Sequence, residues 1–415
     1  MNKFLSNIGL NSVIIGALIV ICGLFPPQII GRIIFTFERY DVYGADVIFF
    51  VLASLLIITN LVRLNKLILL WMAISILFIS IAFINNATVD HGEIGVALRL
   101  SMLLFIPLIK IEKSESEILL KTLLAVIFIN LAFSLCVWVF GGVFVSKLST
   151  HFMNGDPIVP FAFIGGQIQL SYLAALAIAI LFKFKTISKN KIYIVVMLFF
   201  LVIILDSRTG LLIGLITLVG GVINGKIDFK KIMGIFALGG ILTGVFLYLA
   251  TLGTHRIVHL EFQDNSSMLR LNALKYSLEV AHRRPIIGDG VGYTFPYIDK
   301  ELVYDEKTKN DNYVFIRDGM QVPTEPHGTY LLVLVDYGII GLILLISYFF
   351  FLFYRAKDGD RSFYYYLTAM FSVGCLTSSF IINDLRMAIV FMISINLFFN
   401  LESQGKENNE IIYYK

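Results

Sequence analysis

The sequence contains little charge and little cysteine. Only 15% of its 415 residues are charged, whereas ordinary soluble domains carry about 25%. The three cysteines, Cys22, Cys136 and Cys375, each lie within an apolar run, where a thiol behaves as a small hydrophobic group. Cysteines in such positions argue against a disulfide framework and against a cysteine-based metal cluster.

The charge that is present is nearly balanced and spread along the chain. There are 33 Lys and Arg residues against 29 Asp and Glu residues, which gives a formal net charge of +4. Because the basic residues do not form runs, nucleic-acid binding has no support. Apolar residues make up 58% of the chain, and the mean hydropathy is +0.83. These values predict an integral membrane protein and exclude a soluble enzyme or a disordered chain.

The apolar residues form blocks of membrane-spanning length, and they lack the alternating segments of about ten residues that are typical of transmembrane barrels. We therefore predict an all-α integral membrane protein with about twelve transmembrane helices. Lysine and arginine concentrate in alternate connections, and the positive-inside rule then places both termini in the cytoplasm. The candidate spans are residues 8–25, 44–62, 67–84, 95–109, 118–140, 161–182, 192–205, 210–224, 232–252, 329–354, 363–382 and 387–401.

One connection is much longer than the others and falls on the outer side of the membrane. Ser266 and Ser267 are candidate caps for a surface helix within it, because apolar residues recur at helical spacing from Met268 onwards. The predicted organisation has four parts: nine transmembrane helices in residues 1–252, a large outer loop with an amphipathic helix in 253–328, three transmembrane helices in 329–402, and a cytoplasmic tail in 403–415.

A polar break around Arg208 interrupts the apolar residues 192–224. A single helix would bury an aspartate and an arginine in the middle of the membrane, so the charges favour two helices of about 21 Å each. Because the hydrocarbon core is about 30 Å thick, we expect Arg208 to be recessed below the outer surface in a water-filled or anion-occupied cavity. The alternative is an interfacial Arg208 that pairs with Asp206 or reaches the lipid headgroups.

Other candidate site residues lie near the outer ends of spans or in the large loop. Arg270 lies on the predicted surface helix, where an ordinary exposed charge is the alternative. His327 lies at the mouth of the tenth span, where a neutral imidazole either accepts a proton from a sugar hydroxyl or simply caps the helix. Asp46 and Arg99 lie near the outer ends of the second and fourth spans, where they either pair with each other or line the same cavity.

The last two spans are joined by a short outer turn that contains Asp384 and Arg386. It is either an ordinary polar turn or a further part of the site. None of the histidines shows the spacing of metal ligands, so we expect no metal site.

Three segments follow one another along the chain. Residues 205–212 open a short span with Arg208, residues 268–270 and 284–290 lie in the outer loop, and residues 326–331 leave that loop and lead to Gly338 and Gly341. In this order, the segments resemble the O-antigen ligase and O-antigen polymerase superfamily of bacterial polysaccharide assembly.

The resemblance implies a helical glycosyltransferase fold of the GT-C type, with an active site on the periplasmic face of the cytoplasmic membrane. The donor would be a glycan linked to undecaprenyl diphosphate, with no metal or other cofactor. Arg208 and Arg270 match the two arginines that hold the diphosphate, and His327 matches the base that activates the acceptor hydroxyl. Two guanidinium groups offset the negative charge of the leaving diphosphate.

The resemblance leaves the acceptor open between a second glycan, for a polymerase, and lipid A-core, for a ligase. Many ligases have Asn, Ser or Gln after the loop histidine, whereas this chain has Gly328, which favours a polymerase. A chain-length regulator and a flippase are further candidate partners. A transporter or flippase of lipid-linked sugars is the alternative from another class, since a twelve-span bundle with intramembrane charges also suits alternating access.

Overall fold

The structure is a computed structural model of the chain. It is a bundle of helices accompanied by two short β-hairpins. The described residues are 9–25, 33–37, 40–61, 66–86, 92–140, 163, 167–184, 191–204, 207–223, 274, 277–279, 281–288, 314–317, 320–323, 328–356, 359–378 and 380–412.

The N-terminal elements are α1 (Leu10–Leu24), β1 (Ile33–Phe37), β2 (Tyr40–Tyr43), α2 (Gly44–Leu61), α3 (Lys66–Asn86), α4 (Gly92–Phe105), α5 (Lys113–Phe140), α6 (Gln167–Lys183), α7 (Lys191–Ile204) and α8 (Arg208–Ile223). The C-terminal elements are β3 (Val314–Arg317), β4 (Met320–Pro323), α9 (Thr329–Ala356), α10 (Arg361–Ala369), α11 (Cys375–Thr377), α12 (Phe380–Asn383) and α13 (Leu385–Ile412). A 3₁₀ turn at Ile106–Leu108 follows α4, and a π-helical stretch at Met370–Gly374 joins α10 to α11.

Four helices among the described residues are long and apolar enough to cross a bilayer. They are Gly44–Leu61, Lys113–Cys136, Thr329–Ala356 and Leu385–Glu402. Shorter apolar helices lie at Leu10–Leu24, Ile68–Ile84, Gly95–Leu108, Ile168–Lys183 and Thr209–Gly221. The helical membrane protein expected from the sequence is confirmed, whereas the number of twelve spans stays a prediction, and the candidate span 232–252 lies outside the described residues.

The polar break near Arg208 separates two helices. Helix α7 ends at Ile204 and α8 begins at Arg208, and each packs against α6. A single helix through this segment is therefore not formed.

The hydrophobic core surrounds α13, whose residues from Met387 to Phe399 are almost completely buried. Two asparagines interrupt its apolar surface. The Asn396 amide donates to the carbonyls of Ile106 and Ile109 at 2.8 and 2.7 Å, and the Asn400 amide donates to Ile109 O at 3.0 Å. Ile106 lies in the 3₁₀ turn that follows α4 and contains Pro107, and Ile109 follows that turn directly, where the helical ladder has stopped. Side chains of α13 thus satisfy backbone groups that have no water partner inside a membrane.

One end of the bundle, which we call the tail end, is held by polar contacts around Glu115 and Glu402. The Glu115 carboxylate accepts bonds from Gly9 N at 2.6 Å and from the Ser12 hydroxyl at 2.6 Å. The Glu402 carboxylate accepts a bond from Asp360 N, and Lys183 Nζ lies 3.5 Å away. Ile111 N, two residues before α5, donates to Asn400 Oδ1 of α13 at 3.4 Å, so the beginnings of α1 and α5 and the end of α6 lie at the same end of the bundle.

The opposite end, which we call the motif end, is defined by Ser207, Gly328 and Ser378. Helix α8 packs against the 361–377 segment in the antiparallel direction. Gly220, late in α8, lies beside Tyr365, early in that segment, where an added Cβ atom would be 2.7 Å away. Ile213, early in α8, lies beside Gly374, late in the segment, where an added Cβ atom would be 3.7 Å away. The first residue of α8 thus lies near the end of α11. Helix α9 also begins there, because Thr329 N donates to Ser378 O at 3.2 Å.

Candidate functional site

Ser207 caps the helix that begins with Arg208. Its hydroxyl accepts a bond from Gly210 N at 3.1 Å, and its carbonyl accepts one from Leu211 N at 2.8 Å. Serine is a favoured cap because its short side chain satisfies a backbone N–H that the first helical turn leaves without a partner. Arg208 therefore occupies the first helical position, although its side chain lies outside the described part of the structure.

Helix α8 approaches α6 closely at Gly210. A Cβ atom at this glycine would lie 2.0 Å from Ser171 Oγ, and the Ser171 hydroxyl itself lies 3.1 Å from Ser207 Oγ. Only a residue without a side chain fits between the two helices. The contact fixes the start of α8, and with it the backbone of Arg208, against α6.

The start of α9 is held by backbone carbonyls of the 370–378 stretch. Both the N–H and the hydroxyl of Thr329 donate to Ser378 O, at 3.2 and 2.9 Å. A Cβ atom on Gly328 would lie 2.7 Å from Leu376 O, so this glycine packs directly against that backbone. The residue immediately before the described segment is His327.

The carbonyls that hold α9 are available because the 361–378 segment departs from α-helical geometry. Residues Met370–Gly374 are π-helical, and Ser378 is extended with φ −146° and ψ 140°. The Tyr330 hydroxyl donates to Phe371 O, inside the π-helical stretch, at 2.6 Å. Such π-helical stretches are frequent at functional sites, because they free backbone groups from the regular ladder.

The predicted site residues are described to different extents. His327 and Arg270 lie outside the described residues, and of Arg208 only the backbone is described. The structure places the backbones of Arg208 and of Gly328, the neighbour of His327, at the motif end beside residues 374–378. It describes Leu274 and residues 277–279 and 281–283 as helical, within the loop segment predicted to form a helix.

Asp46 and Arg99 form a buried ion pair between α2 and α4. Arg99 Nη1 lies 3.2 Å from Asp46 Oδ1, and the two side chains are 12% and 2% exposed, respectively. Of the two interpretations from the sequence, the structure favours mutual pairing. Asn60, 14 residues after Asp46 in α2, bonds with Asn11 at the start of α1 and therefore lies at the tail end. Asp46 and its partner Arg99 thus lie towards the motif end.

Asp384 and Arg386 lie at the turn into α13, at the motif end. The Asp384 carboxylate accepts a bond from Met387 N at 3.1 Å, which caps α13, and another from the Gln169 side chain at 2.8 Å. Burial raises the pKa of the Asp384 carboxyl, and the Arg386 guanidinium together with these hydrogen bonds opposes that shift. The Arg386 guanidinium donates to Phe163 O. The Asp384 side chain thus joins the start of α13 to α6, and the Arg386 side chain joins it to Phe163, which precedes α6.

Two polar residues near the motif end are not predicted from the sequence. Asp336 is completely buried inside α9, and Gln169 joins α6 to the Asp384 turn. Asp336 could have been identified from the sequence, because a carboxylate within an apolar span is a candidate functional residue. Gln169 carries no such signal, because a single glutamine at the start of a helix has many unremarkable roles. Among the described residues, no group of three His, Cys, Asp or Glu side chains is arranged to hold a metal ion.

The fold and the motif end define a helical membrane protein in which polar helix starts gather at one end of the bundle. Residues 193–346 match a protein-family model described as O-antigen ligase. This range begins in α7, includes the start of α8 and the large loop, and ends within α9, so it contains all three segments that carry the sequence resemblance. The match confirms the resemblance to the O-antigen ligase and polymerase superfamily, whose members are glycosyltransferase-like enzymes. No curated protein matches the chain.

Proposed function

We propose that the chain is a membrane glycosyltransferase that joins glycans carried on undecaprenyl diphosphate, at the outer face of the cytoplasmic membrane. In this proposal it polymerises an O-antigen or capsule-type polysaccharide. The observation that carries the proposal is the shared position of two helix starts. Helices α8 and α9 both begin beside residues 374–378, which brings the backbones of Arg208 and of the neighbour of His327 to one end of the bundle.

The same helix starts suit an anionic substrate. Helix N-termini carry partial positive charge, which favours an anion near the start of α8. Arginine is otherwise unfavourable at the first helical position, because its charge has the same sign as that end of the dipole. A diphosphate held by Arg208 and Arg270 would account for an arginine at this position.

In the proposed reaction, the acceptor hydroxyl oxygen attacks the anomeric carbon of the donor sugar. The bond between that carbon and the phosphate oxygen breaks, and undecaprenyl diphosphate leaves with the bonding electrons. His327 takes the hydroxyl proton as general base, and the two arginines stabilise the charge that develops on the diphosphate. Neither the donor-binding nor the proton-transfer role requires a metal ion.

The contacts at the tail end support the proposed orientation. The start of α1, the start of α5, the end of α6 and Glu402 of α13 lie there, next to the basic segments that begin at Lys110 and Lys183. Because positive residues favour the cytoplasmic side, we infer that the tail end and both termini are cytoplasmic and that the motif end faces the periplasm. The lipid carrier, a chain-length regulator and a flippase are the partners expected there.

A ligase is the second candidate, because the matching family model is described as O-antigen ligase. In that case the acceptor is lipid A-core, while the diphosphate clamp and the base remain the same.

The test is the glycan profile of a deletion strain, measured by gel and by mass spectrometry of the lipid-linked pool and of lipid A-core. Single repeat units on the core indicate a polymerase, and long chains retained on undecaprenyl diphosphate with bare core indicate a ligase. Repeat units trapped on the cytoplasmic face would indicate a flippase and would overturn the proposal.

A further inference from the structure

Helix α9 is broken at Gly338, which has the non-helical angles φ 65° and ψ −167°. In an unbroken helix, the N–H groups of Ile339 and Ile340 would bond to the carbonyls four residues before them. Here Ile339 N donates to Pro285 O at 2.8 Å, and Ile340 N donates to Ile286 O at 3.3 Å. The large loop therefore supplies the acceptors for the first turn of the second half of α9.

The loop reaches this break through a tight turn at Gly288. Its N–H donates to Arg284 O at 2.9 Å, and its φ of 78° lies in the region that favours glycine. A Cβ atom on Gly288 would lie 2.5 Å from the Asp336 carbonyl, and one on Gly338 would lie 2.4 Å from the Ile286 carbonyl. The backbones of the loop and of α9 are thus in direct contact, and a side chain at either glycine would collide with the opposite backbone. We call residues 285–288 together with 338–340 the glycine clasp.

The clasp fixes one end of a helical segment whose other end is fixed as well. The segment consists of residues 329–337. At its start, Thr329 donates two hydrogen bonds to the Ser378 carbonyl, and its end adjoins the clasp. A short helix held at both ends by backbone contacts has little freedom to rotate or shift. Gly328, which directly precedes this segment, packs against Leu376 O at the same anchor.

We propose that the glycine clasp sets the position of His327 relative to the loop that carries Arg270, which makes Gly288 and Gly338 positioning residues for glycan transfer. This rests on the proposed function, in which these two residues act as base and diphosphate ligand. His327 precedes Gly338 by 11 residues, and Arg270 precedes Gly288 by 18. Because a misplacement of about 1 Å can lower a rate about a hundredfold, a loosened clasp lowers turnover more than donor binding.

The sharpest variant is Ile339→Pro, which removes the N–H that donates to Pro285 O. Ile339 follows the break directly, and proline is tolerated in the first turn of a helix. The matched control is Ile339→Ala, which keeps the N–H and shortens a side chain that is 43% exposed. The purified full-length chain is assayed with the lipid-linked glycan pool extracted from the deletion strain, and turnover is expressed per donor-binding site so that unfolded protein does not count.

We expect Ile339→Pro to lower kcat at least about tenfold, with KM for the donor within about twofold of the Ile339→Ala value. Equal kcat in the two variants overturns the inference. A raised KM with unchanged kcat also overturns it, because the clasp would then serve donor binding alone. Full activity of His327→Ala would instead refute the proposed function, whatever the clasp variants do.

A second pair of variants covers the case in which the proline variant is not recovered from the membrane. Ile286→Gly adds backbone freedom inside the clasp, whereas Ile286→Ala does not, and the side chain at this position is 62% exposed. We expect the glycine variant to show a lower kcat than the alanine variant, again with similar KM. Equal kcat values for this pair would overturn the inference.

Discussion

Asp46 and Arg99 show how a single pair of residues is accommodated inside the bundle. Moving a carboxylate out of water is costly unless an opposite charge and hydrogen bonds accompany it. The 3.2 Å contact with Arg99 provides that compensation for a side chain that is 2% exposed. Removal of one partner should therefore be more harmful than removal of both charges.

We expect Arg99→Ala to destabilise the protein by about 3 to 5 kcal/mol, because it removes one member of a buried ion pair. The double variant Asp46→Asn with Arg99→Gln removes both charges and should be closer to the wild type. Thermal unfolding in detergent measures the difference as Tm. A double variant with a Tm below that of Arg99→Ala would contradict the pairing argument.

Arg208 and His327 carry the proposed chemistry, and their variants test it directly. Arg208→Ala and His327→Ala should each abolish glycan transfer while the amount of protein in the membrane stays normal. Arg208→Lys should also be poor, because an ammonium group lacks the planar fork of guanidinium. Complementation of the deletion strain followed by gel analysis of the glycan measures each effect. A normal glycan profile in either alanine variant would remove that residue from the proposed mechanism.

At the scale of helices, irregular backbone creates the contacts of the motif end. The π-helical stretch and the extended Ser378 free the carbonyls that hold α9, and the break at Gly338 frees the N–H groups that bond to the large loop. Regular helices would satisfy these groups internally. The departures from helical geometry are therefore what connects α9 to its neighbours.

The close contact of α6 and α8 gives a prediction at the same scale. Gly210→Ala would place a Cβ atom 2.0 Å from Ser171 Oγ, and overpacking of this kind costs about 1 to 3 kcal/mol. Because the displaced helix begins with Arg208, transfer activity should fall together with Tm. Adding Ser171→Gly removes the clash, so the double variant should recover part of both. A double variant no better than Gly210→Ala would show that this contact is not the cause, and Ser171→Gly alone serves as the control.

The sequence predicted the helices well and the contacts between them poorly. Apolar blocks locate helices because a membrane-spanning segment must be apolar over its length, and the charges around Arg208 correctly indicate two helices there. No such local signal links Gly288 to Gly338, which lie 50 residues apart. A glycine within an apolar span, such as Gly338, gives no local indication that a distant loop is its partner. The hairpins β1–β2 and β3–β4 are too short for their alternation to stand out beside long apolar runs.

At the scale of the whole molecule, the bundle has two chemically different ends. Glu115, Lys183 and Glu402 hold the tail end, while Ser207, Gly328 and Ser378 mark the motif end. Helices α1 and α5 begin at the tail end, whereas α8 and α9 begin at the motif end, so the bundle contains helices that run in both directions. Chemical labelling can test which end of the bundle faces the periplasm and which faces the cytoplasm.

We expect a cysteine at position 282 to react with a membrane-impermeant maleimide from the periplasmic side, and one at position 113 to react only after the cytoplasmic membrane is permeabilised. His282 and Lys113 are both exposed, and they lie in the large loop and at the tail end, respectively. The variants His282→Cys and Lys113→Cys are made in a Cys136→Ser background, because Cys136 is an exposed thiol whereas Cys22 and Cys375 are buried. The reverse labelling pattern would contradict the proposed orientation.

The bonds from Asn396 and Asn400 to the end of α4 also have a consequence for biogenesis. The ribosome completes α4 almost 300 residues before it synthesises these asparagines, so the carbonyls of Ile106 and Ile109 lack their native donors during most of translation. The early helices therefore form an assembly intermediate that only the last span completes. A chain that ends before Leu385 should be degraded rapidly in the membrane, and pulse-chase measurement of its lifetime against the full chain tests this order of assembly.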